Sequence, residues 1–320
     1  MRPPILDDRW RPVELALWLL PIAAFFVFPL RLPLLTEIMV MALYALSLDL
    51  LLGYAGIVSL GHAAFFGTGA YTAGLLAQAG WGEPLTGLLA AGAVAGALGF
   101  ATSFLVLRGS DLTRLMVTLG IAMMLFEAAN KAAWLTGGAD GLYGMAVWPV
   151  LGLFEFDLYG RTAFWYALAV LLVLFLAARR MVHSPFGLAL RGLRHNPLRM
   201  AAIGAPAGRH LVVVYTVGAV YAGIAGAVLA QTTQFVSLDV LSFQRSAEVL
   251  LVLVLGGVGR LYGALLGAAA FAVMHDVLTG FTTQYWPFWL GVTLVALVLF
   301  VRGGLLGLFD AVCARVRGRP

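Results

Sequence analysis

Few side chains in this chain could do chemistry, and those standing inside apolar stretches are Ser59, His62, Glu37, Asp49, Glu127, Glu248, His275 and Asp276. Ser59 and His62 are spaced i,i+3, which would suit a nucleophile and its base. The same spacing equally describes two residues on one helix face, and no third orienting group accompanies them. A carboxylate at the centre of a span costs roughly 2.5 to 3.5 kcal/mol on insertion scales, so each acid should be paired, face an aqueous lumen or lie near an interface. Asp49, and His275 with Asp276, fall near segment ends and are expected at interfaces. Glu127 has Lys131 one turn later for a simple i,i+4 pair. Glu127 and Glu248 are the candidates for a buried carboxylate of the kind ion coupling would need.

A second group lies between apolar segments. Arg179 to His210 is rich in arginine and free of acids, and it contains Ser184, Pro185, Phe186 and Gly187, then Arg191, Arg194, Asn196 and Gly204. Between Pro185 and Pro197, the spacing of Phe186, Leu190 and Leu193 predicts a short amphipathic helix with Arg191 and Arg194 on another face. A loop resting on anionic lipid would account for the arginines at about 1 kcal/mol each. It accounts less well for the apolar face and the paired prolines, which suit a docking handle for a soluble partner.

Two glycine-rich segments complete the set. Gly53, Tyr54, Gly56, Ser59, Gly61, His62, Phe65, Phe66, Gly69 and Tyr71 combine small residues, which let helices approach closely, with polar groups that are costly against lipid. Tight packing with local satisfaction is the plain reading, and a segment lining an aqueous path is the functional one. Thr136, Gly137, Gly138, Asp140 and Gly141 are turn residues, expected in an external loop that either only turns the chain or meets an external partner.

The elements that hold these residues must be membrane helices. Of 320 residues, 62% are hydrophobic and 11% charged, and mean hydropathy is +0.96, far from the composition of a soluble domain. Apolar segments fall near 13–30, 34–52, 56–77, 85–107, 112–130, 162–178, 211–231, 245–257, 261–279 and 284–301. The expected class is all-α and polytopic, with about ten transmembrane helices (range 8 to 10). The 53–70 region, with five glycines, and the short 245–257 run are candidates for broken or re-entrant helices. A tail at 1–12 and a basic tail at 310–320 flank a transmembrane domain over 13–309.

Charge distribution orients the chain. Lys+Arg exceed Asp+Glu by 20 to 15, and the placement of arginines, rather than an anionic partner such as nucleic acid, explains the excess. Ten crossings put Arg2, Arg9, Arg11, Arg108, the Arg179 to Arg209 group and Arg302 to Arg319 on one side, which the positive-inside rule makes cytoplasmic, with both termini. The acidic 131–161 connection falls outside. One cysteine, Cys313, permits no intrachain disulfide and suggests no metal cluster. The run from Val13 lacks a convincing cleavage site and reads as a retained span.

The sequence also echoes itself. Leu52-Gly53-Tyr54-Ala55-Gly56, then Ser59-Leu60-Gly61, resembles Leu255-Gly256-Gly257-Val258-Gly259, then Leu261-Tyr262-Gly263, as expected of two related halves, a common transporter plan. There is no Gly-x-x-x-x-Gly-Lys-Ser/Thr phosphate loop, so no ATP hydrolysis is expected of the chain itself.

Together, Leu52 to Tyr71, Leu135 to Leu142, Ser184 to Gly204 and Glu248 to Gly263 resemble the LivH/LivM family, more the LivM branch. That family comprises membrane subunits of bacterial ABC importers for branched-chain amino acids and related solutes such as urea and short amides. The resemblance covers about residues 34–280. It implies a permease in the inner membrane, no catalytic residue, no metal and no cofactor on this chain, with ATP used by partner subunits. The implied partners are a LivH-like second permease, two cytoplasmic ABC ATPases and an external solute-binding protein, all assembled in the lipid bilayer. Ser184 to Gly204 would be the coupling helix, with Phe186, Leu190 and Leu193 as its apolar anchor in the ATPase and Arg191, Arg194 and Asn196 as polar contacts. The segments from Gly53 and from Gly256, with Gly257, Gly259 and Glu248, would line or support the translocation path. Arg260 departs from the family pattern, which often has a small residue after the glycines, and the coupling region is unusually rich in arginine. An ion-driven secondary transporter is the alternative function, and an intramembrane enzyme is the remoter one.

Overall fold

The computed structural model describes residues 12–157, 159–281, 288–289, 291–292, 295 and 304–307. Among these the chain is helical, with two isolated antiparallel bridges and no strand. Hydrocarbon offers no hydrogen bonds, so a helix, which satisfies its own backbone, is the economical spanning element. The main helices are α1 (Pro12–Val27), α2 (Leu32–Asp49), α3 (Ala63–Gln78), α4 (Pro84–Val106), α5 (Asp111–Lys131), α6 (Ala133–Thr136), α7 (Arg161–Val182), α8 (Pro185–His195), α9 (Pro197–Ala202), α10 (Ala207–Thr233), α11 (Phe243–Gly256) and α12 (Leu261–Phe281). Prolines stand in the first turn of α2, α4, α8 and α9, where a missing N–H costs nothing.

Among the described residues, six helical stretches are long and apolar enough to cross a bilayer: Pro29–Ala55, Pro84–Val106, Asp111–Lys131, Arg161–Val182, Ala207–Thr233 and Leu261–Gly280. The protein is therefore an all-α polytopic membrane protein. The expected count of about ten divides into these six and shorter elements: α1, α3 and α11 run 16, 16 and 14 residues. The expected segment at 284–301 lies mostly outside the described residues, as do most of the two tails, Arg302 and Cys313.

Helix α2 is the axis of the bundle: every residue from Ile38 to Leu51 is buried. Helices α3, α4 and α10 pack through small residues. A Cβ on Gly69 would overlap the backbone of Gly223, and one on Gly226 would overlap the Phe66 carbonyl, the close approach that replaces hydrophobic driving force in lipid. Helix α5 is peripheral, burying only Thr118 and Ala122 while Leu112, Met116, Met123 and Met124 face outward.

The two ends of the bundle are tied differently. At one end the start of α1 meets the end of α7: the Glu14 carboxylate lies 2.6 Å from Arg179, with both side chains largely withdrawn from solvent. At the other, Arg31 and Asp276 pair at 2.6 Å with both side chains partly open to solvent. The Glu127–Lys131 pair forms at 3.6 Å, also exposed.

Candidate functional site

The first glycine segment is a break in the helix. After Asp49 the backbone widens into a π-helical turn over Leu50–Ala55, and Gly56 ends it at φ 73°. Single π turns inside helices recur at functional sites. The Ile57 N–H still donates to the Leu51 carbonyl at 3.0 Å, after which residues 58–60 are irregular backbone, with Ile57, Ser59 and His62 buried. Irregular backbone at this depth needs partners from the protein, and side chains supply them. The Leu60 N–H donates to Thr118 Oγ1 at 3.3 Å, and the Ala63 N–H donates to Ser246 Oγ at 2.9 Å.

The second glycine segment is a tight turn between α11 and α12, with Gly257 at φ 115° and Gly259 at φ 83°. It docks onto the first break. The Gly259 N–H donates to Asp49 Oδ1 at 2.7 Å, and a Cβ on Gly53 would meet Asp49 Oδ1 as well as the Gly259 backbone. Asp49 stands at the end of α2, as expected, and is wholly buried there, because the helix continues past it through the π turn and the Gly259 turn covers it. The carboxylate joins two segments that echo each other in sequence.

Helix α8 forms as its spacing predicts. Ser184 caps it, accepting from the Gly187 N–H at 3.5 Å, and Asn196 caps α9, accepting from the Arg199 N–H at 3.0 Å. The expected division of its faces is corrected. Leu190 and Leu193 are 1% and 5% exposed, Gly187 is buried with them, and half-buried Phe186 stacks on His210 at 5.4 Å. The apolar face is thus spent on the chain's own bundle rather than left open for a partner, since an amphipathic helix gains most by covering apolar surface next to it. The arginines also turn inward. The Arg191 guanidinium lies 5.3 Å from the centre of the Tyr54 ring, and Arg194 donates to the Gly53 carbonyl. Outward stand Leu198 and Ile203, 82% and 76% exposed, with Arg199, Gly204 and Arg209. Gly204, at φ 82°, turns the chain toward α10.

Two glycine breaks, a buried carboxylate and a basic surface helix therefore meet at one joint. Arg194 touches both breaks: a Cβ on Gly259 would lie 3.1 Å from its Nη1.

The remaining residues of the first segment are packed within the chain's own bundle. His62 Nε2 lies 2.7 Å from Ser47 Oγ, and that hydroxyl donates to the Tyr44 carbonyl at 2.6 Å. Ser59 Oγ and Tyr71 Oη are buried without a hydrogen-bond partner. The partner of His62 is thus Ser47, which leaves a Ser59–His62 dyad without geometric support. Phe65 meets Tyr215 edge-on at 5.6 Å, and Phe66 lies 4.4 Å from the Tyr44 ring.

At the far end, Thr136 Oγ1 donates to the Ala129 carbonyl at 2.6 Å and accepts from the Gly138 N–H at 3.2 Å. Gly137, Gly138 and Gly141 all take positive φ, and the loop is held by the Leu142–Val236 bridge, with Asp140 exposed on its turn. Glu248 is held by Arg245 at 3.2 Å.

Ser47, Arg245 and Ser246 are the site residues that sequence reasoning passed over, and Asp49 was named there without its partner. Asp49 alone had a signal, since it lies one helical turn before Gly53 in a segment whose glycines recur at 256–259.

The chain matches, over residues 30–305, the family described as branched-chain amino acid transport system permease component. Two curated relatives are each named high-affinity branched-chain amino acid transport system permease protein LivM, one from Salmonella typhimurium and one from Escherichia coli. Each is 30% identical over 292 residues, covering 85% of this chain and 68% of its own length. No solved structure matches significantly. The match takes in both glycine breaks, the buried carboxylate and the surface helix, and the chain belongs to the family of permease components of branched-chain amino acid transport systems.

Proposed function

We propose that this chain is one of two permease subunits of a bacterial ABC importer in the inner membrane, moving branched-chain amino acids inward with both termini cytoplasmic. As a permease component it is not an enzyme; its energy comes from ABC ATPase subunits, and its solute from an external binding protein. The second permease would be LivH-like, and ATP would be used by the partners alone. The observation that carries this reading is the joint: Arg191 and Arg194 attach α8 to the π turn at Gly53 and Tyr54, and Asp49 attaches that turn to Gly259. A displacement of α8 and α9 by an ATPase would thus be handed to two helices that cross the membrane, and rigid-body motion of such elements is how alternating access proceeds. Leu198 and Ile203, with Arg199, supply the outward surface for that contact.

The test is solute uptake by the complex reconstituted in liposomes. Leucine should accumulate only with ATP, both ATPases and the loaded binding protein present. Uptake driven by an ion gradient without any ATPase subunit would overturn the reading in favour of a secondary transporter. Uptake of urea or short amides in place of leucine would move the substrate within the family.

A further inference from the structure

Helices α4 and α7 leave a gap between them on the flank of the bundle. Helix α4 packs on α3 and α10 while α7 packs on α2, and the space between them is a groove of about 850 Å³ that Ile224 of α10 also borders. Leu85 and Leu89 line it from α4, Trp165 and Val173 from α7, and Phe154 from the connection before α7. Leu89 and Val173 are 73% and 64% exposed, and both helices are long and apolar enough to span a bilayer, so the groove opens toward lipid. Tyr166, which also borders it, spends its hydroxyl on buried Gln231.

The charged end of the groove is the start of α7, at Arg161. Arg161 is exposed, lies over the Tyr159 ring at 5.8 Å, and takes part in no ion pair among the described residues. Asp157, in the adjoining connection, accepts instead from the Thr162 N–H at 3.2 Å. The α7 wall runs from Arg161 to Leu174, an advance of about 20 Å at 1.5 Å per residue. That is half of a bilayer about 40 Å thick with its headgroup regions. Tyr159 and Trp165, both exposed, stand at the same end, as aromatic residues do where headgroups begin.

We infer that this groove is a phospholipid site, with one acyl chain lying between α4 and α7 and the phosphate on Arg161. An apolar helix of another subunit would fill the groove and leave the guanidinium unanswered. A phospholipid answers both, because its phosphate and its acyl chain meet at the depth where Arg161 meets the apolar wall, and a charge-assisted bond to phosphate is strong. Glu155 and Asp157 in the adjoining connection disfavour a net anionic lipid and favour a headgroup that brings its own ammonium, as phosphatidylethanolamine does. The site stands independently of the importer reading.

The experiment places the protein, with the subunits that co-purify with it, in nanodiscs holding a trace of photoreactive lipid. The probe is phosphatidylethanolamine or, in a parallel sample, diacylglycerol, each with a diazirine in its acyl chain, and labelled peptides are located by mass spectrometry. In wild type, the peptides carrying Leu89 and Val173 should take up about fivefold more of the phosphatidylethanolamine probe than of the diacylglycerol probe. Arg161→Gln should erase that difference, and Arg161→Lys, which keeps a cation, should retain most of it. Arg161 is exposed, so neither variant depends on refolding a core. Equal labelling by the two probes in wild type overturns the site, since ordinary contact with the bilayer would then account for the label. A difference that survives Arg161→Gln overturns it as well. Absence of label from both peptides also counts against it, because another subunit would then cover the groove.

Discussion

The two glycine breaks share a sequence pattern but not a construction. The first is long: a π-helical turn, then an irregular stretch fed by hydrogen bonds from Thr118 and Ser246 on other helices. The second closes within a few residues and receives a carboxylate from the first. The first also carries a hydrogen bond from the surface helix α8, through its Gly53 carbonyl. The echo in the sequence therefore marks two segments that meet at one joint.

The most severe way to break that pairing is Gly53→Val. A Cβ at this position meets Asp49 Oδ1 and the Gly259 backbone, and neither can step aside, because one is hydrogen-bonded and the other is main chain. Overpacking of a core costs about 1 to 3 kcal/mol and more where backbone must move. Little monodisperse protein should survive detergent extraction, as followed by size-exclusion chromatography. Gly120→Ala is the control: a Cβ there meets nothing within 4 Å, and yield should be unchanged.

A milder cut is Asp49→Ala, which removes the acceptor of the Gly259 N–H and leaves it buried. The cost should be about 1 to 3 kcal/mol, read as a lower thermal midpoint of the solubilised protein. Asp49→Asn keeps a carbonyl oxygen in place and should recover most of the loss. Equal midpoints for the alanine and wild-type proteins would mean that the two breaks do not depend on each other.

The membrane class, the surface helix and the position of the first break were legible in the sequence, because composition, helical spacing, proline placement and glycine density act locally. The faces of α8 were not. Periodicity shows that Phe186, Leu190 and Leu193 share a side, but whether that side meets a partner or the chain's own bundle depends on distant residues such as His210 and Tyr54. The role of Asp49 was hidden for a related reason: its hydrogen-bond partner, Gly259, lies 210 residues further along the chain. The pairing of His62 with Ser47 spans 15 residues across a break, and i,i+3 spacing pointed instead to Ser59.

The finest comparison separates the two arginines that reach from α8 to the first break. Arg191 lies over an aromatic face, a contact worth about 0.5 to 1 kcal/mol at exposed sites, and its loss leaves Tyr54 packed as before. Arg194 makes a charge-assisted bond to a backbone carbonyl, a stronger and more directional tie, at the residue where both breaks meet. Arg194→Gln should lower leucine uptake per ATP hydrolysed about fivefold, whereas Arg191→Gln should lower it no more than about twofold. Neither should shift the thermal midpoint as far as Asp49→Ala, because both side chains attach a surface helix rather than hold the bundle. If the two variants transport alike, α8 acts on the membrane helices through its buried leucines, and the arginines only fasten it.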